Sequence, residues 1–94
     1  MKNNFELEID NTVTKLAGNP LGKKIYQSQV LKEIDYEKEI MIVFPDRIDT
    51  IASSFIQGFF EDMVSKIGVN GIVSQVTIKS SIPDIKDLIV KNLI

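Results

Sequence analysis

Ser53 and Ser54 are adjacent, and their side-chain hydroxyls are the groups in this chain whose type and position best suit chemistry. They follow an apolar run and a short polar loop, and they precede apolar residues at helical spacing. Serine at such a position caps free backbone N–H groups, so we expect one of the pair to be the N-cap of a helix. The same N–H groups and the helix dipole stabilise a phosphate. The pair is therefore a candidate phosphoacceptor or partner contact as well as a cap.

The loop before the serines supplies the other candidate residues, Asp46, Arg47, Ile48 and Asp49. We expect this loop to contact a partner protein, with Ile48 as its one apolar residue. Two carboxylates in one loop also suit a divalent cation, so a small ligand- or metal-binding domain that uses Asp46 and Asp49 is an alternative. A solvated loop with local hydrogen bonds accounts for the same carboxylates, and we predict neither a metal nor a cofactor.

The composition excludes several classes of enzyme. The chain has no histidine and no cysteine, which removes serine hydrolase triads, imidazole zinc sites and thiolate metal sites. Nothing marks a carboxylate or a lysine as an acid–base catalyst, so we predict that the protein is not an enzyme. Eleven basic and thirteen acidic residues give a net charge of -2, which disfavours nucleic acid as a partner.

The length and the balance of residue types predict one globular domain over residues 1–94. Hydrophobic residues make up 44% and charged residues 26%, as in ordinary globular proteins. No run approaches the roughly 20 apolar residues of a membrane span, and the first ten residues lack the apolar core of a signal peptide. We expect a cytoplasmic protein without a membrane segment.

Hydrophobic periodicity predicts three strands. Phe5, Leu7 and Ile9 alternate with acidic residues, which is typical of a half-exposed edge strand. The apolar run 40–44 predicts a central strand covered on both faces. Alternation over residues 72–79, after the turn Asn70–Gly71, predicts the third strand.

Three helices are expected between and after these strands. The first has Asn19 as its cap and Pro20 at its first helical position, and it runs to about Ile34. The second starts at the serine pair and ends before Gly68. The third has Pro83 within its first turn and a cap at Ser80 or Ser81. The resulting order, strand-helix-strand-helix-strand-helix, is that of an α/β layer fold.

The segment IMIVFPDRIDTIASSFIQGFF, with NPLGKKI before it and VTIKSSIPDIKDLI after it, resembles a known family. It is similar to the bacterial and phage STAS-like domain family of unknown function, which comprises small relatives of the sulfate transporter and anti-sigma factor antagonist domain. The resemblance covers most of the chain, from about Phe5 to Leu93. It implies a small α/β fold with a mixed sheet, helices packed mainly on one face, and the first strand at an edge.

In anti-sigma factor antagonists the corresponding loop reads Asp-Ser-Ser-Gly or Asp-Ser-Thr-Gly. A partner kinase with a histidine-kinase-like ATPase fold phosphorylates one of the hydroxyls. Ser53 and Ser54 match these hydroxyls, whereas Ala52 stands in place of the Asp and Phe55 in place of the Gly. The resemblance therefore implies a regulatory, non-enzymatic module that binds a partner protein, with a histidine-kinase-like ATPase as one such partner.

Two further possibilities remain open at the level of sequence. A phage or mobile-element protein that inhibits a host system by binding would need the same kind of surface. A homodimer is also a prediction, either through Val90 and Ile94 on the last helix or through the exposed edge of the first strand.

Overall fold

The chain alternates short strands with helices, and the computed structural model describes residues 3–94. The elements, in order, are β1 (Asn4–Glu6), β2 (Lys15–Leu16), α1 (Asn19–Gln29), β3 (Ile40–Val43), β4 (Thr50–Ile51), α2 (Ser53–Gln75), β5 (Val76–Lys79) and α3 (Ile85–Leu93). This order confirms an α/β fold in which three main strands alternate with three helices.

The main sheet has the strand order β1-β3-β5, with β1 at one edge as expected. Phe5 lies beside Ile42, and Ile42 lies beside Ile78. Both pairings are parallel, so the expectation of a mixed sheet is wrong. The reason is the connections: α1 lies between β1 and β3, and α2 lies between β3 and β5. Each helix returns the chain to the starting edge, so neighbouring strands run in the same direction.

A second, two-stranded sheet pairs β2 with β4, also in parallel. Lys15 lies beside Thr50, and Leu16 lies beside Ile51. The sequence did not predict these strands, because two residues are too few to show a period of two. The small sheet joins the segment before α1 to the segment before α2, and it therefore sets how the two helices begin.

The helices cover one face of the main sheet, as expected. Ile40 and Ile42 on that face of β3 are buried, as is Phe44 directly after the strand, whereas Met41 and Val43 on the opposite face are only half-buried. The prediction that β3 is covered on both faces is therefore wrong. A run of apolar residues hides the alternation that would have distinguished the two faces.

The helix α2 packs between α1 and α3. The ring centroids of Phe59 and Phe60 lie 4.8 Å apart, and both side chains are fully buried within the chain.

The helices α1 and α2 approach closely at two glycines. A Cβ at Gly22 would lie 2.6 Å from the backbone nitrogen of Phe59, and a Cβ at Gly58 would lie 2.9 Å from the Asn19 Cα.

The helix α2 is broken at Gly68, which has φ 71° and ψ 169°. Only glycine adopts this conformation without strain, so the predicted end of a helical segment at Gly68 is confirmed. The chain then resumes a helix to Gln75, and the prediction of a strand from residue 72 is wrong. The N–H of Val76 bonds to the Ile72 carbonyl and closes this last turn. Ile72 and Val76 are four residues apart, so they fit one helix face as well as one strand face.

The two remaining helices differ from expectation at their ends. The helix α1 ends at Gln29 rather than near Ile34. The helix α3 begins at Ile85, and the residue before it, Asp84, has a left-handed φ of 55°. Ser81 does not cap this helix, because its hydroxyl donates to the Asp46 carbonyl oxygen at 2.8 Å.

Over residues 3–94, none of the helices combines the length and the apolar character needed to cross a membrane.

Candidate partner-binding surface

The serine pair lies in the first turn of α2, at the end of the helix where backbone N–H groups are free. The N-cap is Ala52, in an extended conformation, and no side chain caps the helix. The expectation that one serine is the N-cap is therefore wrong by one position. The Ala52 N–H donates to the Leu16 carbonyl at 2.8 Å and continues the small sheet, so Ala52 takes the place of the cap residue.

The two serine hydroxyls have different surroundings. The Ser54 Oγ accepts a hydrogen bond from the Gly18 N–H at 3.0 Å, and Ser54 is half-buried. Gly18 has a left-handed φ of 99° and precedes the first residue of α1. This contact sets the start of α1 beside the start of α2. Ser53 is exposed, and its hydroxyl makes no hydrogen bond to any residue in the range 3–94.

Ile48 is not part of the surface. Its side chain is 0% exposed and belongs to the core. Its N–H donates to the Pro45 carbonyl at 3.1 Å, and its own carbonyl accepts from the Ser81 hydroxyl at 3.2 Å. The expectation that Ile48 contacts a partner is therefore wrong. An isolated apolar residue in a polar loop is an anchor that holds the loop to the core.

Arg47 is also occupied within the chain. Its guanidinium donates to the carbonyl oxygens of Ile9 and Asp10, the latter at 2.9 Å, and ties the loop to the segment after β1. Asp46 differs, because its side chain is exposed and only its carbonyl oxygen accepts a hydrogen bond, from Ser81. Of this adjacent pair, Asp46 is the residue that a partner can reach with least rearrangement.

Asp49 forms an ion pair with Lys15, with 3.2 Å between the Asp49 Oδ1 and the Lys15 Nζ. The hydrogen bond from the Thr50 hydroxyl, followed by that from Lys15, holds the pKa of the Asp49 carboxyl below its usual value. Within residues 3–94 no group of three or more carboxylates is placed to hold a metal ion. The alternative of a metal site at Asp46 and Asp49 is not supported, because a lysine and a threonine occupy the Asp49 carboxylate.

Tyr36, Tyr26 and Asp62 form a hydrogen-bonded chain that no local sequence pattern indicates. The two tyrosine oxygens lie 2.5 Å apart, and the Tyr26 hydroxyl donates to Asp62 Oδ2 at 2.6 Å. Since Tyr26 has one hydroxyl proton, Tyr36 donates to Tyr26. Burial and the hydrogen bond to Asp62 raise the pKa of Tyr26, and burial raises the pKa of Tyr36. These residues lie 10 and 36 positions apart, beyond the reach of local patterns.

Tyr26 and Asp62 line an open groove of about 400 Å³ between α1 and α2. Two ion pairs flank it: Lys23 lies 3.3 Å from Glu61, and Lys66 lies 3.5 Å from Asp62. One of these ion pairs therefore joins α1 to α2, and the other lies along α2. The groove has no unpaired charge among these four residues with which to select a charged ligand.

No protein-family model, no curated protein and no solved structure matches this chain. The STAS-like resemblance therefore rests on the residues of the chain, and it remains a prediction.

Proposed function

We propose that this protein is a non-enzymatic regulatory module of the STAS-like type. It binds a partner protein through the surface that Asp46, Asp49, Ser53 and Ser54 form at the start of α2. The partner is a protein kinase with a histidine-kinase-like ATPase fold or a protein under the control of such a kinase. Ser53 is the residue whose modification controls binding.

The observation that carries this proposal is the difference between the two hydroxyls. Ser54 is held by Gly18, whereas Ser53 is exposed and makes no hydrogen bond to another described residue. A kinase needs a hydroxyl that it can reach without unfolding the substrate, and Ser53 meets this requirement. The resemblance alone did not distinguish the two residues.

The start of α2 also suits a phosphate electrostatically. The first turn carries no acidic residue, and no side chain occupies its free N–H groups. A phosphate on Ser53 adds nearly two negative charges beside these N–H groups, where the helix dipole favours them. Modification would therefore change the charge of the surface without disturbing the fold. A partner that binds the neutral hydroxyl would be repelled by the phosphate, or its binding would strip the phosphate of water at a cost in free energy.

Modification is tested by mass spectrometry of the protein purified from its natural host. We expect phosphate on Ser53 and none on Ser54. Phosphate on Ser54 alone would contradict the assignment, because it requires the Gly18 contact to break.

Partner binding is tested by quantitative affinity capture with the wild-type chain, Ser53→Glu and Ser65→Glu. Ser65 is an exposed serine further along α2, so it is a matched control for the charge change. We expect one partner to be retained by the wild type and by Ser65→Glu, and reduced about tenfold by Ser53→Glu, a change of about 1.4 kcal/mol. Titration of that purified partner then measures the affinities directly. Equal binding by all three chains would refute the proposal.

A further inference from the structure

Within residues 3–94 no helix covers one face of the main sheet, and the proposed function does not use this face. We define this open face by six side chains that point away from the helices, in two rows across the strands: Asn4, Met41 and Thr77, then Glu6, Val43 and Lys79. Met41 and Val43 in the centre are half-buried, and the four flanking residues are exposed. Parallel sheets occur almost only with both faces covered. The open face of this parallel sheet has two apolar residues at its centre, which indicates that another molecule covers it.

We propose that a second copy of this chain covers the open face. The two sheets pack face to face about a two-fold axis that runs parallel to β3, between the sheets. A two-fold interface brings together the same patch from both copies, so the patch must be complementary to itself. The arrangement of charge on the open face meets this condition for one direction of the axis.

Rotation about an axis parallel to β3 exchanges the two edges of the sheet. Each β1 then lies opposite the β5 of the other copy, and β3 lies opposite β3. Because Glu6 and Lys79 share a row, Glu6 faces Lys79 of the other copy, and the same ion pair forms twice. In the other row Asn4 faces Thr77, a pair of hydrogen-bonding side chains. The apolar side chains of Met41 and Val43 meet their own counterparts at the centre.

The other in-plane axis, perpendicular to the strands, does not produce these pairs. It keeps β1 opposite β1, so Glu6 would face either Asn4 or another Glu6. No opposite charges meet in either case. Within a single copy the two charges are separated by β3, about 9.6 Å away across two strand spacings. Neither Glu6 nor Lys79 takes part in an ion pair within residues 3–94.

The size of the open face sets the strength of the dimer. Three strands of about four residues cover an area of roughly 14 Å by 13 Å. This area is smaller than the roughly 800 Å² that each partner buries in a stable interface. We therefore expect a weak dimer, with a dissociation constant of about 100 µM.

Sedimentation velocity from about 10 µM to about 1 mM tests the proposal. The wild type should shift from monomer to dimer over this range. Glu6→Lys places two lysines opposite each other at both contacts, and Lys79→Glu places two glutamates opposite each other. Each variant alone should weaken the dimer about tenfold or more. Lys24→Glu, at an exposed position on α1, makes the same charge change as Lys79→Glu but away from the open face. It should associate like the wild type.

An equimolar mixture of Glu6→Lys and Lys79→Glu is the decisive measurement. The first variant presents only lysines at the two contacts and the second only glutamates, so the mixture should restore the dimer that each variant lacks. In parallel, the Met41 methyl NMR signal should shift with concentration, whereas that of the buried Met63 should stay constant. A wild type that remains monomeric, single variants that associate normally, a mixture that fails to associate, or a Met41 signal that does not move would each overturn the proposal.

Discussion

The Ser54 hydroxyl accepts a hydrogen bond from the Gly18 N–H at 3.0 Å, across 36 positions of the chain. This contact joins the turn that opens α1 to the first turn of α2. It gives the two adjacent serines different roles. Ser54 stabilises the arrangement of the helices, and Ser53 remains accessible beside it.

Replacement of Ser54 by alanine should destabilise the protein. The Gly18 N–H loses its acceptor, which costs about 1 kcal/mol and lowers the melting temperature by about 4–8 °C in a domain of this size. Ser53→Ala should stay within about 0.5 kcal/mol of the wild type, because the exposed hydroxyl makes no hydrogen bond to the described residues 3–94. Thermal unfolding followed by circular dichroism measures both. A larger effect at Ser53 than at Ser54 would show that the roles are reversed.

Ile48→Asp should strongly destabilise the protein rather than weaken partner binding alone. The side chain is fully buried, and a carboxylate there is without a partner, which costs roughly 3–5 kcal/mol. Small domains have a total stability near the lower end of about 5–15 kcal/mol. Asp46→Ala, at an exposed position in the same loop, should leave the unfolding curve unchanged. Urea titration compares the two, and an Ile48→Asp chain as stable as the wild type would place Ile48 outside the core.

Gly58→Ala should separate α1 from α2. The added methyl group would overlap the Asn19 backbone, which cannot rotate away as a side chain does. Overpacking of this kind costs about 1–3 kcal/mol or more, so we expect a melting temperature lower by roughly 10 °C. Ser65→Ala, on the exposed side of the same helix, is the control and should change little. A Gly58→Ala chain as stable as the wild type would mean that the helices are further apart than described.

The tyrosine pair should make the fold sensitive to alkaline pH. The pKa values of Tyr26 and Tyr36 are raised in the folded state, so above the unfolded value of about 10 the unfolded chain loses protons that the folded chain keeps. The stabilisation is complete below about pH 10 and declines as the pH rises further. For each tyrosine that stays protonated, the free energy of unfolding falls by about 1.4 kcal/mol per pH unit.

Urea titrations of the wild type and of Tyr26→Phe between about pH 9 and 12 test this expectation. Subtraction of the two curves removes the contribution of Lys86, whose pKa burial lowers. The variant should show the shallower decline. The chain has two tyrosines and no tryptophan, so tyrosinate absorbance reports on this pair alone. Absorbance that rises near pH 10 while the fold is intact would contradict the raised pKa values.

The candidate surface shows which features local sequence could predict and which it could not. The pattern placed the serine pair at the start of a helix correctly, because apolar spacing after residue 54 is strong. It missed the cap by one residue, since Ala52 is held by the Leu16 carbonyl, a partner 36 positions away. It also assigned Ile48 to the surface, because a short loop carries no period from which burial can be inferred.

The sheet shows the same division. The edge position of β1 and the central position of β3 followed from their apolar patterns, and both are observed. The resemblance implied a mixed sheet, whereas both pairings in the main sheet are parallel. Residues 72–75 are helical although their pattern predicts a strand, because Ile72 and Val76 are four positions apart and this spacing fits both periods.

The sequence by itself determined which classes of chemistry are absent, which segments are apolar, and where hydroxyls meet a helix start. These are properties of residue types and of spacings within one element, so they need no partner from elsewhere in the chain. Only the tertiary structure decided that Ser54 is held and Ser53 is accessible, that Ile48 is buried, and that Glu6 and Lys79 share one row of a bare sheet. Each of these facts depends on atoms more than thirty positions apart, whose proximity is set by the packing of the helices on the sheet.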